Sequence, residues 1–389
     1  MSVTAAKGFT AAGIAAGIKA PFISGSGGNP DLALVVNNGP RLAAAGVFTS
    51  NRVKAAPVVW SEQVVKGGVV SAVVLNSGGA NACTGPLGFQ DTHATAEEVA
   101  EVTGGSAAEV AVASTGLIGI RLPMDKLLPG IHKAAAELSP YGGEKAAIAI
   151  KTTDSVHKTA VAEGAGWTVG GMAKGAGMLA PGLATMLVVL TTDADLDAAT
   201  LDKALRAATR TTFDRADSDG CMSTNDTVLL LASGASEVTP AYDDFAAAVE
   251  KVCADLARQL IGDAEGASKD IKIEVVGAAS EDDAVEVGRS IARNNLLKCA
   301  LHGEDPNWGR VLSAIGTTAA AFEPDRLNVA INGVWVCKNG SVGEDRDLVD
   351  MRFREVHITA DLAAGDQTAT IWTNDLTAEY VHENSAYSS

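Results

Sequence analysis

The chain has 389 residues, 47% of them hydrophobic and 20% charged, which suits a protein of two or three domains with a sizeable core. Thirty basic against 47 acidic side chains leave a net charge of −17. That balance disfavours a nucleic-acid or anionic-membrane surface, where counterion release needs a basic patch. No apolar run approaches the roughly 20 residues of a spanning helix, and the Ala/Gly-rich start lacks a greasy core with a cleavage signal. Five scattered cysteines without a CxxC pair suit reduced thiols, so a cytoplasmic protein is expected.

In chain order, runs rich in Val, Ile and Leu predict strands at 32–36, 69–75 and 109–114. Apolar positions recurring every three or four residues predict helices at about 93–102 and 124–138. Further strands are expected at 185–190, 228–231, 271–276 and 368–372, and further helices at 196–208, 243–260, 282–293 and 376–382. Ser280 followed by Asp283 reads as a helix start. Strands and helices interleave, so a layered α/β or α+β fold is expected. The loop from Ile23 to Pro30 reads as a flexible surface turn. The first 184 residues carry 13 basic and 12 acidic side chains and the remainder 17 and 35, so the excess negative charge lies in the second part, as a solvated acidic surface.

Few local motifs carry chemistry. The six histidines are far apart, and none sits in a recognisable metal-binding cluster. There is no P-loop. Gly175-Ala-Gly-Met-Leu-Ala180 formally fits a dinucleotide fingerprint, but Pro181-Gly182 breaks the helix that should follow. The segment 170–190, beginning GGMAKGAGMLAPGLATML, holds more interest. Its first half is too glycine-rich for a helix or a well-packed strand, and an apolar run begins at Thr185. One reading is a hairpin entering a buried strand, with Thr185 an ordinary strand residue. The chemical alternative is a strained Ala184–Thr185 peptide bond beside the Thr185 hydroxyl. Attack on the Ala184 carbonyl and hydrolysis of the resulting ester would cut the chain and free an α-amine able to act as base for its own hydroxyl.

This segment resembles the self-cleavage segment of the ornithine acetyltransferases, the ArgJ family. So do Asn76-Ser-Gly-Gly-Ala-Asn-Ala-Cys-Thr-Gly85, Ser114-Thr-Gly-Leu-Ile-Gly119, Thr152-Thr-Asp154, Ser223-Thr-Asn-Asp-Thr227, Glu265-Gly-Ala-Ser-Lys269 and Asp305-Pro-Asn-Trp-Gly-Arg310. The likeness runs from about Gly8 to the C-terminus. It implies a layered αββα fold shared with self-cleaving N-terminal-nucleophile aminopeptidases. It also implies an α chain (1–184) and a β chain (185–389), folded together and pairing into a heterotetramer of two of each. Thr185 would be the nucleophile, Thr115 and Gly116 the oxyanion-hole pair, and Thr152, Lys174, Thr185, Glu265, Asn384 and Ser389 the substrate-binding set. A cation such as Lys174 suits an α-carboxylate, and a carboxylate such as Glu265 suits an ammonium.

The implied activity is acetyl transfer from N2-acetyl-L-ornithine to L-glutamate through an acetyl-Thr185 ester, in arginine biosynthesis, without a metal or prosthetic group. Whether acetyl-CoA is also a donor stays open. Residues 21–28 form an extra loop relative to the family. The nearest rival is an N-terminal-threonine amidohydrolase or aminopeptidase passing the acyl group to water. More distant rivals are a dinucleotide-binding protein and a non-enzymatic assembly subunit.

Overall fold

The computed structural model describes residues 2–19, 28–180 and 186–386. Ala184, Thr185, Ser389 and most of the 21–28 loop therefore lie outside the described residues. The strands run β1 (Phe9–Ile14), β2 (Leu32–Asn37), β3 (Ala43–Phe48), β4 (Ala72–Gly79), β5 (Val110–Leu117), β6 (Lys158–Glu163), β7 (Thr168–Lys174), β8 (Leu187–Thr192) and β9 (Thr227–Ala232). They continue with β10 (Asp270–Ala278), β11 (Asn328–Ile331), β12 (Val334–Lys338), β13 (Ser341–Val342), β14 (Glu355–Asp361) and β15 (Gln367–Asn374). The helices are α1 (Ala56–Lys66), α2 (Gly85–Thr103), α3 (Met124–Ala136), α4 (Gly143–Ala149) and α5 (Ala198–Thr211). After these come α6 (Tyr242–Gly262), α7 (Glu281–Ala292), α8 (Asn295–His302), α9 (Trp308–Ile315) and α10 (Ala378–Ala386).

Two sheets stack face to face through the first two-thirds of the chain. One has the order β1-β2-β4-β5 and the other β3-β9-β8-β7-β6. Side chains alternate faces along a strand, and here both faces of the central strands are covered. In β2 and β4, Ala33, Val35, Val73 and Leu75 meet Leu187, Val189, Leu229 and Leu231 of the second sheet. On the opposite face Leu32, Leu34, Ala72 and Val74 meet Val99 and Ile131 of α2 and α3. Val188, Leu190, Val228 and Leu230 turn outward onto Leu201, Leu205, Val252 and Leu256 of α5 and α6. The layers therefore run helix, sheet, sheet, helix, as the resemblance implies. Each fully buried Val or Leu contributes about 1.5–3 kcal/mol of apolar burial.

A third sheet, ordered β13-β12-β11-β14-β10-β15, forms a further layer not anticipated from the sequence. Ile271, Ile273 and Val275 cover one face together with Val287 and Ile291 of α7 and Val311 of α9. The Ser280 side chain accepts the Asp283 amide at 3.1 Å, as the helix-start signal predicts. The Asn307 side chain likewise caps α9, and Lys269 Nζ donates to the carbonyls of Met351 and Phe353 at 2.6 and 3.0 Å. The EGASK and DPNWGR motifs thus help to hold this layer together.

The segments 1–184 and 185–389 are interleaved, since β3, β6 and β7 share a sheet with β8 and β9. The glycine-rich start of the 170–190 segment is a strand after all. β7 pairs with both β6 and β8, from Thr168↔Glu163 to Lys174↔Leu187. Its glycines serve close approach rather than a turn. A Cβ on Gly170 would lie 2.3 Å from the Ser2 carbonyl oxygen, and one on Gly171 would meet Leu190 at 2.7 Å and Leu256 at 3.0 Å.

Candidate active site

The C-terminal ends of β5 and β7 bring the first two groups together. The strand expected at 109–114 is longer than its sequence signal: β5 continues through Thr115 and Gly116, opposite Ser77 and Gly78. The register shifts at Gly79, and Gly116 takes φ +128. A Cβ there would lie 2.5 Å from the Gly78 carbonyl carbon, so this close crossing requires glycine. Lys174 ends β7, and its Nζ donates to Thr115 Oγ1 at 3.2 Å. Both residues are buried. Burial lowers the Lys174 pKa below its ordinary value, Asp154 opposes that shift, and Lys158 adds to it.

A buried ionic knot lies beneath these groups. Lys158 Nζ reaches Asp154 Oδ1 at 2.7 Å and Asp263 Oδ2 at 2.6 Å. The same Asp154 oxygen accepts the Gly175 amide at 2.6 Å, and its other oxygen accepts the Thr152 amide at 3.0 Å. Burial alone would raise the Asp154 pKa. The charges of Lys174 and Lys158 and the Gly175 N–H outweigh it and bring it down to about 2. Thr152 is thereby held at the mouth of the cleft.

Glu265 enters from the loop after α6, its amide donating to the Ala176 carbonyl at 2.9 Å. Gly177 leaves room for its carboxylate, since a Cβ there would lie 2.5 Å from Oε2. Asn384 Nδ2, on α10, donates to that same oxygen at 2.9 Å. Helix α10 is fastened to this loop by Thr377 Oγ1 on the Gly266 carbonyl at 2.7 Å. The described part of the C-terminal segment is therefore docked on the cleft.

Thr115, Gly116, Thr152, Lys174, Glu265 and Asn384 line one solvent-open cleft of about 630 Å3. These are the expected site residues that fall within the described part; Ala184, Thr185 and Ser389 do not. The described residues on either side of that gap are held by hydrogen bonds. Met178, in the cleft wall, has φ +57, and its amide donates to Asp219 Oδ2 at 2.6 Å. The Ser218 amide holds the Leu179 carbonyl at 2.6 Å. On the far side, Met186 donates its amide to Asp226 Oδ1 at 3.0 Å and accepts the Thr227 amide at 3.1 Å. Burial pushes the Asp226 carboxyl well above the usual carboxylate range.

Sequence reasoning did not place Ser223, Thr224 or Asn225, which line the cleft, in the site. Asn225 Nδ2 bridges the carbonyls of Ala80 and Ser114 at 2.6 and 2.8 Å, tying β9's approach to the end of β5. A polar STNDT run directly before an apolar strand was the available signal. The dinucleotide reading fails on geometry, because strand β8 starts at Leu187 and leaves no span after Ala180 for the helix it needs.

Fold and site define a layered α/β protein whose polar cleft sits where the two facing sheets and the C-terminal helix converge. The sequence matches the ArgJ family over residues 10–389. It is 84% identical, over the full length of both chains, to the arginine biosynthesis bifunctional protein ArgJ of Streptomyces avermitilis. It is 64% identical, again with full coverage of both, to the protein of that name from Thermobifida fusca. Among solved structures, an ornithine acetyltransferase complexed with ornithine from Mycobacterium tuberculosis is 58% identical, covering 48% of this chain and 96% of that one at a TM-score of 0.44. The chain belongs to the ArgJ family.

Proposed function

We propose that this protein is an N-acyltransferase of arginine biosynthesis that moves the acetyl group of N2-acetyl-L-ornithine to L-glutamate. One observation supports the reading above the others. Six residues scattered from Thr115 to Asn384, each expected at the site from the family motifs, line a single cleft. Its relatives carry the name arginine biosynthesis bifunctional protein along their full length.

The chemistry follows from Thr185. The chain cuts itself between Ala184 and Thr185, giving an α chain and a β chain that stay together and associate as two of each. The freed α-amine, with an ordinary pKa of about 7.7–8.0, takes the Thr185 hydroxyl proton as Oγ attacks the acetyl carbonyl. Thr115 Oγ1 and the Gly116 N–H hold the oxyanion. Ornithine leaves, the acetyl group remains as an ester on Thr185, and glutamate's α-amine receives it. Glu265, steadied by Asn384, offers a carboxylate to a substrate ammonium, while Thr152 and Ser389 orient the bound amino acid. Interleaving of β7 with β8 supports two segments that remain joined after a cut. Free thiols at all five cysteines fit a cytoplasmic setting.

The test is to supply N2-acetyl-L-ornithine with and without glutamate. Formation of N-acetylglutamate that depends on glutamate supports transfer. Release of acetate at the full rate without glutamate would assign the site to a hydrolase instead.

A further inference from the structure

The family motifs make Lys174 a cation for a substrate carboxylate, but its surroundings point to a second task. Asp154, the acid nearest in effect, has its oxygens already engaged by Lys158 Nζ and by the amides of Gly175 and Thr152. Lys158 in turn is shared with Asp263. Both lysines act on Asp154, yet Lys158 alone makes a short contact with it, and with Asp263 as well. Among the described residues the one acceptor within hydrogen-bond reach of Lys174 Nζ is Thr115 Oγ1, at 3.2 Å. Both residues are 2% exposed, so the bond is largely shielded from water.

A hydroxyl has one proton and two lone pairs. When a lone pair accepts from an N–H, the O–H must turn away from that donor, and the accepted bond strengthens its own donation. Thr115 lines the cleft. We propose that Lys174 is a positioning residue of the oxyanion hole, whose Nζ–H donates to Thr115 Oγ1 and so fixes and polarises the Thr115 hydroxyl toward the developing oxyanion. This assignment rests on the acyl-transfer reading above, and it gives Lys174 work even when the acyl donor carries no carboxylate.

That difference is the test. Acetylation of Thr185 by p-nitrophenyl acetate, an ester without a carboxylate, is followed by nitrophenolate release in the wild type, Lys174→Met, Thr115→Val and the double variant. Thr115→Val keeps the branched shape of the strand residue and slows acetylation about 100-fold, the usual effect of losing one oxyanion donor. Lys174→Met slows it about tenfold at unchanged KM, and adds nothing in the Thr115→Val background because the two act through one hydroxyl. In Thr115→Ser, which keeps the hydroxyl, the Lys174→Met effect returns. Acetylation of Lys174→Met at the wild-type rate, or additive losses in the double variant, would overturn the assignment. Should Lys174→Met fail to process itself while retaining a cooperative melt, self-cleavage is compared directly, since it involves no substrate carboxylate. Equal arrest in Thr115→Val supports the assignment, and normal cleavage there overturns it. A wild-type protein that forms no acetyl adduct defeats the acyl-transfer reading itself, which is a distinguishable failure.

Discussion

Asp154→Asn isolates the electrostatic knot under the cleft without changing its shape. The carboxylate accepts the Gly175 and Thr152 amides and pairs with Lys158, all in buried surroundings. The amide leaves Asp263 as the one carboxylate still paired with Lys158 among the described residues, and removes the charge that most supports Lys174. Removing one member of a buried ion pair costs about 3–5 kcal/mol. With an unfolding entropy of about 2.1 cal/mol/K per residue, roughly 0.8 kcal/mol/K for this chain, the Tm falls by about 4–6 °C. The pH dependence has a fixed sign. The folded-state pKa of Asp154 is depressed from 3.8 to about 2. Its contribution, about 2 kcal/mol, is therefore complete above the unfolded value and is lost as pH falls from about 4 through about 2. Calorimetric melts of the wild type and variant between about pH 2 and pH 6 check this. The Tm gap is expected to be widest near the top of that range and to narrow toward the bottom. Equal melting temperatures throughout, or a gap that widens on acidification, would refute the reasoning.

Substitutions at three further residues probe the site. Thr185→Ala is expected to remain a single uncut chain with no transfer, and Thr185→Ser to be partly cut and partly active, as read on a denaturing gel and by N-acetylglutamate formation. Glu265→Gln removes one charge-assisted contact to an ammonium, worth about 1.5–3 kcal/mol, so KM for N2-acetyl-L-ornithine rises roughly 10- to 100-fold while nitrophenolate release from p-nitrophenyl acetate is little changed. Gly116→Ala drives a Cβ against the Gly78 backbone at φ +128, so both stability and acetylation fall, the second more than 100-fold if an oxyanion donor is displaced.

The layered architecture was legible because the central strands are short β-branched runs and the outer helices carry strong three-and-four periodicity. Helix α3 starts at Met124 as read from the sequence, and α6 and α7 start and stop within two residues of their expected bounds. What escaped was structure whose signal is tertiary. In β7, small residues signal absence of side chains, and only the packing of Ser2, Leu190 and Leu256 shows why absence is required. The strands β11–β14 are short or polar on one face, so their alternation is weak until they pair. Of the third sheet only β10 and β15 were therefore read as strands, at 271–276 and 368–372, and the sheet itself was not anticipated.

The site divides along the same line. Motif order in the sequence named the residues at the cleft, yet it gave each a role toward substrate and said nothing of their bonds to one another. The Asn225 bridge from Ala80 to Ser114 and the Lys174 contact to Thr115 join residues 59 to 145 positions apart, and no local pattern encodes them. The Asp154–Lys158 pair is the exception, lying four residues apart where the chain enters β6.

The central claim is that Thr185 becomes a chain terminus and then carries the acetyl group. Intact-mass measurement of the denatured protein after incubation with N2-acetyl-L-ornithine alone tests both parts at once. The account predicts two fragments, 1–184 and 185–389, with one acetyl group added to the second and located on its first residue. A single unbroken chain in active protein, or an acetyl group on any other side chain, would contradict it.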